Sequence, residues 1–330
     1  MFELEGKFNN KVIAITGASG YIGSSLVNEL QKHSIKKIIC ISRKKIKTQG
    51  NVEDWSIDLK DSESWLKIIN QSDIIFHLSG NTSIAAAEKN PEKSLNEEIL
   101  PIMNLVSASK ELSKKPRVIY ASTATIYGLT KKFPVSEEQH PSPITCYDSN
   151  KLSAEKKLNV ASSDNIIESL SLRLANVYGP SLNDSSAADR GILSKITRLA
   201  FENKSIKIYG SGNYLRDYIY IDDVVRAFLY ASVLEYTEAK KNSEIIFNVA
   251  SGVGSSIKNT FGLIAEEIEK ITGFKIDIES VSWPTGISEI EKRNFIGSAQ
   301  RLKSYTNWNA KTSIEDGIHL LVNNISQDYL

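Results

Sequence analysis

The chain has 330 residues, which is enough to bury a sizeable core in one large α/β domain or in a domain with a smaller partner. Hydrophobic residues make up 41% of it, charged residues 24%, and the formal net charge is +1, so these numbers give no reason to expect nucleic acid or an anionic membrane surface as a partner. Cys40 and Cys146 are too few for a disulfide framework, no apolar stretch approaches the roughly 18 residues that span a bilayer, and the mixed, charged N-terminus differs from a signal peptide. We therefore expect a soluble cytoplasmic protein.

Short apolar runs alternate with helical patterns along the first half of the chain. The predicted strands cover, in chain order, residues 11–16, 36–42, 54–59, 73–78, 117–122 and 168–177. Helical patterns lie between them at residues 21–32, 61–70, about 84–113, and from 147 to about 162. Buried parallel strands are near-continuous apolar runs joined by helical crossovers. This order therefore predicts an α/β fold with a Rossmann-type, doubly wound parallel sheet.

The pattern changes beyond Pro180. A polar loop, "NDSSAADRG", precedes a helix at 192–203 and a short strand, "SIKIYG", and further helices are predicted near 257–272 and 313–325. We interpret residues 1–180 as the Rossmann domain and residues 181–330 as a smaller α/β region that binds substrate and is partly interleaved with the sheet.

The segment "TGASGYIG" has the spacing of a phosphate-binding turn. Gly17 permits a tight turn after the first strand, Gly20 lets backbone N–H groups approach a pyrophosphate, and Gly23 lets the helix pack close to the sheet. Such a glycine triplet is weak on its own. Here it follows the first strand of a doubly wound pattern, and so it predicts a dinucleotide cofactor, NAD(H) or NADP(H).

The residues after the second strand distinguish the two cofactors. An acidic residue there would bind the ribose 2′-hydroxyl of NAD, but this strand ends in Ser42, Arg43 and Lys44. A cationic cluster suits the 2′-phosphate of NADP, which we favour, although a basic loop that is simply solvated would have the same composition. Asp58, at the end of the predicted third strand, is a candidate for the adenine amino group.

Three Tyr-x-x-x-Lys pairs occur, so the spacing alone decides nothing. Tyr236 and Lys240 lie in a polar segment far from any strand end of the sheet, and Tyr127 lies in a loop where a helix is not expected. The third pair, Tyr147 and Lys151, opens an amphipathic helix, where residues i and i+4 share one face.

This third pair follows the strand whose C-terminal end carries Ser122 and Thr123. Because the carboxyl ends of parallel strands line the ligand crevice, a hydroxyl, a phenol and an ammonium should converge there. A phenol has a pKa of about 10, and a neighbouring ammonium draws it towards neutral pH. Tyr147 can then exchange a proton with a carbinol or carbonyl while Thr123 hydrogen-bonds the reacting oxygen and Lys151 holds the nicotinamide ribose.

Several separated motifs, in the same order, resemble the extended short-chain dehydrogenase/reductase family, which acts on nucleotide sugars. They are "TGASGYIG", "YASTATIYG", "YDSNK", "RLANVYGP", "IKIYGSGNYLRDYIYIDDVVRA" and "NWNAKTSIEDGI", and they cover nearly the whole chain. The resemblance implies Thr123, Tyr147 and Lys151 as catalytic residues, no metal, and a homodimer. The cofactor site that it implies comprises Gly17, Ser19, Gly20, Tyr21, Ile22, Gly23, Ser42, Arg43, Lys44, Asp58, Leu59, Leu78, Ser79, Gly80, Ala121, Tyr147 and Lys151.

The resemblance also implies substrate contacts. Asn176 and Arg216 match residues that contact the nucleotide diphosphate, and Asn248 and Arg293 are further candidates. Arg216 could instead pair with Asp217 or Asp223, and Arg293 could be a surface residue.

Departures from the family pattern narrow the reaction. Family 4,6-dehydratases carry an Asp–Glu pair where this chain has Ala124 and Thr125, so dehydration is not expected. The basic residues at Arg43 and the second half of the chain are most similar to NADP-dependent 4-ketoreductases of deoxysugar and polysaccharide biosynthesis. The leading hypothesis is reduction of a nucleotide-linked 4-keto-6-deoxyhexose. The alternative is a nucleotide-sugar 4-epimerase that retains NAD(P), and a regulator without turnover would be a third class.

Overall fold

The computed structural model describes residues 4–43, 45–46, 48–80, 82–182, 191–242, 245–286 and 289–329. Its strands are β1 (Val12–Thr16), β2 (Lys37–Ile41), β3 (Val52–Trp55), β4 (Ile74–His77), β5 (Arg117–Thr123), β6 (Glu168–Leu174), β7 (Asn176–Tyr178), β8 (Ser205–Tyr209), β9 (Leu215–Tyr220), β10 (Ile246–Val249), β11 (Gly254–Ser256) and β12 (Asp277–Val281). Seven of them form a parallel sheet in the order β10-β6-β5-β4-β1-β2-β3, which confirms the Rossmann-type fold. Two small sheets, β11-β9-β7 and β12-β8, lie outside it.

The helices are α1 (Tyr21–Leu30), α2 (Ser62–Gln71), α3 (Ile84–Lys89), α4 (Pro91–Glu111), α5 (Cys146–Ser163), α6 (Ile192–Asn203), α7 (Ile221–Val233), α8 (Tyr236–Lys241), α9 (Ile257–Thr272), α10 (Gln300–Thr306) and α11 (Ile314–Ser326). Residues Ala124–Tyr127 and Glu289–Lys292 form short 3₁₀ turns. Within the described part of the chain, no helix is both long enough and apolar enough to span a bilayer.

Alternating side chains of the central strand serve two apolar layers. Ile13 and Ile15 pack in the cluster that contains α1 and α7, whereas Ala14 packs in the cluster that contains α2, α4 and α5. Successive side chains of a strand point to opposite faces, so one strand contributes to both layers. Both layers are buried because helices cover both faces of the parallel sheet. All strands of the sheet end at one edge, and that edge carries the residues described below.

Three predicted elements differ from the structure. The strand predicted at 54–59 covers Val52–Trp55, because its pairing with β2 ends at Trp55. The segment predicted as one helix over 84–113 is two helices, since Asn90 leaves the helical conformation and caps the second one before Pro91. The strand predicted at 168–177 divides at Ala175, and its second part pairs with β9 in another sheet.

One strand of the large sheet comes from the region beyond residue 180. Ile246–Val249 pair in parallel with Ser171–Leu174, so β10 forms the edge next to β6. The polar loop predicted before α6 lies mostly outside the described residues, which resume at Gly191.

Candidate active site

The glycine turn has the shape that a dinucleotide needs. Gly17 has φ +71°, and its N–H donates to the Ile41 carbonyl at 2.8 Å, while the Gly20 N–H donates to the Gly17 carbonyl at 2.8 Å. A Cβ on Gly23 would collide with the Gly17 carbonyl oxygen. The helix α1 begins directly after Gly20 and has no side-chain cap, so its N-terminus can face a phosphate. These residues fit a dinucleotide cofactor.

The loop after β4 lies against this turn. The Thr16 hydroxyl accepts hydrogen bonds from the N–H groups of Leu78 (3.2 Å) and Ser79 (3.1 Å), and it lies 2.8 Å from Nδ1 of His77. Burial lowers the pKa of His77 to about 3, so the ring is neutral. A Cβ on Gly17 would lie 3.0 Å from the Ser79 nitrogen. The two segments that would face a cofactor are thus fixed to each other.

A cleft of about 450 Å³ extends from the end of β2 to this loop. Its walls include Arg43, Gly80, Thr82, Lys89 and Lys93. Arg43 is exposed. Lys89 and Lys93 add positive charge that was not predicted, because they follow β4 whereas Arg43 follows β2. Glu97 also lines the cleft and lies 3.9 Å from the Lys93 ammonium, so cations and a carboxylate share its wall.

Other candidate cofactor residues contribute differently from their prediction. Ser42 is buried, Lys44 lies outside the described residues, and Asp58 is exposed in the loop beyond β3 rather than at a strand end. Leu59 is buried, and its carbonyl accepts the Trp65 indole N–H at 2.8 Å. The Asp58 carboxylate accepts from the Lys60 N–H at 2.9 Å, and its contact with adenine stays a prediction.

Near the glycine turn, two further candidates turn their side chains into the protein. The Tyr21 hydroxyl donates to the Gly179 carbonyl at 2.8 Å, and Ile22 packs against the core. Ser19 is half-buried. For Tyr21 and Ile22, only the backbone remains to face a phosphate.

The start of α5 positions the phenol of Tyr147. Thr145 and Asp148 form a reciprocal capping box, in which the Thr145 hydroxyl accepts from the Asp148 N–H at 3.2 Å and the Asp148 carboxylate accepts from the Thr145 N–H at 3.3 Å. The Thr125 hydroxyl donates to the other carboxylate oxygen of Asp148 and lies 2.9 Å from the Thr123 hydroxyl. This chain links the end of β5 to the first turn of α5.

Thr123, Tyr147 and Lys151 come together as predicted. Burial raises the pKa of Tyr147, while the charge of Lys151 and a hydrogen bond with Thr123 act in the opposite direction. The Lys151 ammonium donates to the Ala121 carbonyl at 3.1 Å, next to the end of β5. A phenol, a hydroxyl and an ammonium at this position can exchange a proton with a substrate oxygen.

A buried carboxylate that was not among the predicted site residues completes the cluster. Glu98 lies 3.0 Å from the Lys151 ammonium, and the Tyr120 hydroxyl donates to it at 2.5 Å. The sequence pattern could have identified Glu98, because it falls on the buried stripe of α4 with Ile102 and Leu105, where an acidic residue is rare.

The other two Tyr–Lys pairs have structural roles. The Tyr127 hydroxyl donates to Asn248 Oδ1 at 2.7 Å, and Asn248 Nδ2 donates to the Val135 carbonyl at 3.0 Å. Asn248 is fully buried and its amide is occupied on both sides, which argues against the substrate contact predicted for it. Tyr236 is buried and hydrogen-bonds Ser162, far from the cluster.

Two arginines are buried together beside Asn176. Arg216 donates to the carbonyls of Glu291 (2.6 Å) and Arg293, and Arg293 donates to Asn176 Oδ1 at 3.4 Å. Among the described residues, neither guanidinium forms an ion pair with a carboxylate. Burial and the charge of Arg293 lower the pKa of Arg216 to about 10, and burial lowers the pKa of Arg293. Paired buried cations of this kind favour a dianion.

The alternative partners of Arg216 are occupied elsewhere. The Asp217 carboxylate accepts from backbone N–H groups of Ser251 (2.8 Å), Gly252 (3.0 Å) and Gly297 (3.0 Å). Asp223 pairs with Arg226 and caps residues 311 and 312. Arg293 is buried, so the surface role considered for it does not apply.

Comparison with known proteins fits this geometry. The family model for the NAD dependent epimerase/dehydratase family matches residues 13–250, which include the glycine turn, β5 and α5. The chain belongs to this family. Over the part of the chain that the structure describes, no cluster of three or more His, Cys, Asp or Glu side chains could hold a metal ion.

Individual relatives of the family are distant but cover most of the chain. A UDP-glucose 4-epimerase of Mycolicibacterium smegmatis is 26% identical over 76% of this chain and 80% of that protein. A UDP-N-acetyl-alpha-D-glucosaminuronate decarboxylase of Bacillus cytotoxicus is 26% identical over 92% of this chain and 94% of its own length. The crystal structure of a UDP-glucose 4-epimerase from Thermotoga maritima, with UDP-glucose, superimposes with a TM-score of 0.83 at 28% identity, covering 97% of this chain and 100% of that chain.

Proposed function

We propose that the protein is an oxidoreductase that acts at C4 of a nucleotide-diphosphate sugar. The observation that carries this proposal is the pair of buried arginines, Arg216 and Arg293, for which no carboxylate partner is described. The protein also brings Thr123, Tyr147 and Lys151 together as a cluster. Relatives named for UDP-sugars support the same substrate class.

Each part of the site has a distinct task. The glycine turn and the neighbouring loop hold the cofactor, which supplies or accepts a hydride when bound. Tyr147 exchanges a proton with the C4 oxygen, Thr123 hydrogen-bonds that oxygen, and Lys151 stabilises the phenolate. The arginines bind the diphosphate, so binding energy from a remote group positions the sugar.

Within this class we favour an NADP(H)-dependent 4-ketoreductase. Arg43 and Lys89, which line the cleft, support it, because cations favour a 2′-phosphate. Ala124 and Thr125 also do not resemble the acidic pair of a dehydratase. A 4-epimerase that retains NAD(P) is the second candidate, favoured by the relatives and by the family's named cofactor. The homodimer and the cytoplasmic location remain expectations from the resemblance and the sequence.

Cofactor stoichiometry should separate the two candidates. With a nucleotide-linked 4-keto sugar, the protein is expected to oxidise one NADPH for each product formed, measured by absorbance together with product analysis. An epimerase would interconvert C4 epimers without net oxidation of added cofactor. Conversion of a nucleotide sugar that already carries a C4 hydroxyl, such as UDP-glucose, into its C4 epimer without NADPH consumption would therefore assign the epimerase reaction.

Replacing Arg43 with alanine should weaken NADPH binding much more than NADH binding. A lost charge-assisted contact to the 2′-phosphate costs about 1.5–3 kcal/mol, or roughly 10- to 150-fold in Kd. Calorimetric titration of both cofactors measures this. Lys45→Ala is the matched control, because Lys45 is an exposed neighbouring cation that does not line the cleft. Equal weakening of NADPH and NADH, or a wild type that prefers NADH, would reject NADP.

A further inference from the structure

Glu98 is a buried carboxylate beside the proton-transfer residues. Its side chain is 2% exposed and that of Lys151 is 6% exposed, and their charged atoms are 3.0 Å apart. Tyr120 holds the carboxylate from the strand side. A Cβ on Gly80 would lie 2.6 Å from Glu98 Oε2 and 3.3 Å from the Lys151 nitrogen, so the pair also borders the cofactor loop.

We propose that Glu98 is a positioning residue that holds Lys151 and keeps Tyr147 in its protonated form, ready to donate a proton. This inference rests on the proposed function, because it concerns whether the reaction at the same site starts from a ketone or from a carbinol. It assigns a role to a residue outside the Thr–Tyr–Lys set.

The charge of Lys151 influences the protonation of the Tyr147 phenol. An unpaired ammonium beside a phenol favours the phenolate, which is the form that removes a proton from a carbinol. Here a carboxylate neutralises much of that charge at contact distance and does so in a site with little water, where charges act strongly. The phenol therefore retains its proton to higher pH than it would beside a free ammonium.

Charged and titratable groups reach this site from each packed element. On α5, Asp148 and Glu155 add negative charge near Tyr147 and Lys151, respectively, and both act in the same direction as Glu98. On β5, Tyr120 is held protonated, because burial and Glu98 raise its pKa. On β4, His77 is neutral. Glu98 differs from all of these in its direct contact with the ammonium.

The protonated phenol suits reduction. When a C4 ketone is reduced, a C–H bond forms with a hydride from NADPH, the Tyr147 O–H bond breaks, and the proton forms the new carbinol O–H bond. The phenolate that remains regains a proton from solvent, stabilised by Lys151 in the interval. Epimerisation must begin with the opposite step, in which the phenolate removes the carbinol proton. A carboxylate that retains the proton on Tyr147 thus favours a site that starts from a ketone.

The test is a spectroscopic titration of Tyr147 without cofactor or substrate. The ultraviolet tyrosinate signal of each protein, minus that of the same protein with Tyr147→Phe, isolates the one phenol. Glu98→Gln keeps the shape and a hydrogen-bond acceptor for Lys151 but removes the charge. We expect the Tyr147 titration to move down by about one pH unit, the lower end of the shift that a neighbouring charge causes. The pH at which reductive kcat falls should move down with it, since the acid must be protonated.

Two further variants make the result decisive. Glu98→Asp moves the carboxylate back by one methylene and should give an intermediate titration, which provides a second measurement if the glutamine is not tolerated. Glu155→Gln is the matched control, because Glu155 is an equally buried carboxylate, paired with Arg173 at 2.7 Å, on the same helix as Tyr147. It should lower the melting temperature and shift the titration less than Glu98→Gln does.

An unchanged or raised titration in Glu98→Gln would overturn the proposal, as would an equal shift in Glu155→Gln. Failure of the proposed function looks different. If the protein does not consume NADPH with a 4-keto sugar, the reductase assignment fails whatever the titration shows.

Discussion

The Tyr147→Phe protein is expected to bind cofactor nearly as well as the wild type but to have a kcat lower by at least about 10²-fold, the usual scale of lost general acid–base catalysis. The substitution removes only the hydroxyl, while the ring remains packed at the start of α5. Steady-state kinetics and cofactor titration on the folded variant measure the two effects separately.

Tyr127→Phe is the control for this prediction, because Tyr127 heads another Tyr-x-x-x-Lys pair in the same chain. Its hydroxyl donates to the buried amide of Asn248, so the variant should lose about 1 kcal/mol of stability and retain its kcat. A crippled Tyr127→Phe beside a fully active Tyr147→Phe would mean that the proton-transfer residue has been misassigned.

The second large effect is expected for Arg216→Ala, which should raise KM for the nucleotide sugar by about 10- to 150-fold, the scale of a lost charged hydrogen bond of about 1.5–3 kcal/mol. Cofactor affinity should not change. The diphosphate is remote from C4 but helps to position the sugar, so kcat can fall as well.

Arg216 also has a structural role, because it donates to the backbone carbonyls of residues 291 and 293. Removing it should therefore lower the melting temperature too. Adding UDP separates the two effects, since UDP should raise the melting temperature of the wild type much more than that of the variant. Arg226→Ala, which breaks a pair with Asp223, is the control that should lower stability without changing KM. If UDP stabilises both arginine variants equally, the diphosphate assignment of Arg216 is wrong.

Local sequence signals predicted much of this site. The glycine spacing after the first strand and the Tyr147–Lys151 spacing at the start of a helix are short-range features, and the doubly wound pattern indicated that both face the same edge of the sheet. Asp58 was placed at a strand end because an apolar run was extended too far, whereas the pairing with β2 ends at Trp55.

Features that depend on distant contacts could not be read in this way. The partners of Arg216 are backbone carbonyls, which every residue has, so no sequence pattern identifies them. The family resemblance made Asn248 a candidate ligand residue, but its side chain holds Tyr127 and the segment at Val135. Glu98 carried a signal, since it interrupts an apolar stripe, but its partner Lys151 lies on another helix.

The position of β10 at the edge of the large sheet has a consequence for how the chain folds during translation. During translation, β6 leaves the ribosome long before Ile246–Val249 are made, and until then its outer side presents unpaired N–H and C=O groups. Helix α7, which packs against β5 and β6, is also still missing at that stage. We therefore expect a nascent chain that stops near residue 180 to be prone to aggregation and to need chaperone protection, so that folding is completed only after most of the polypeptide has emerged.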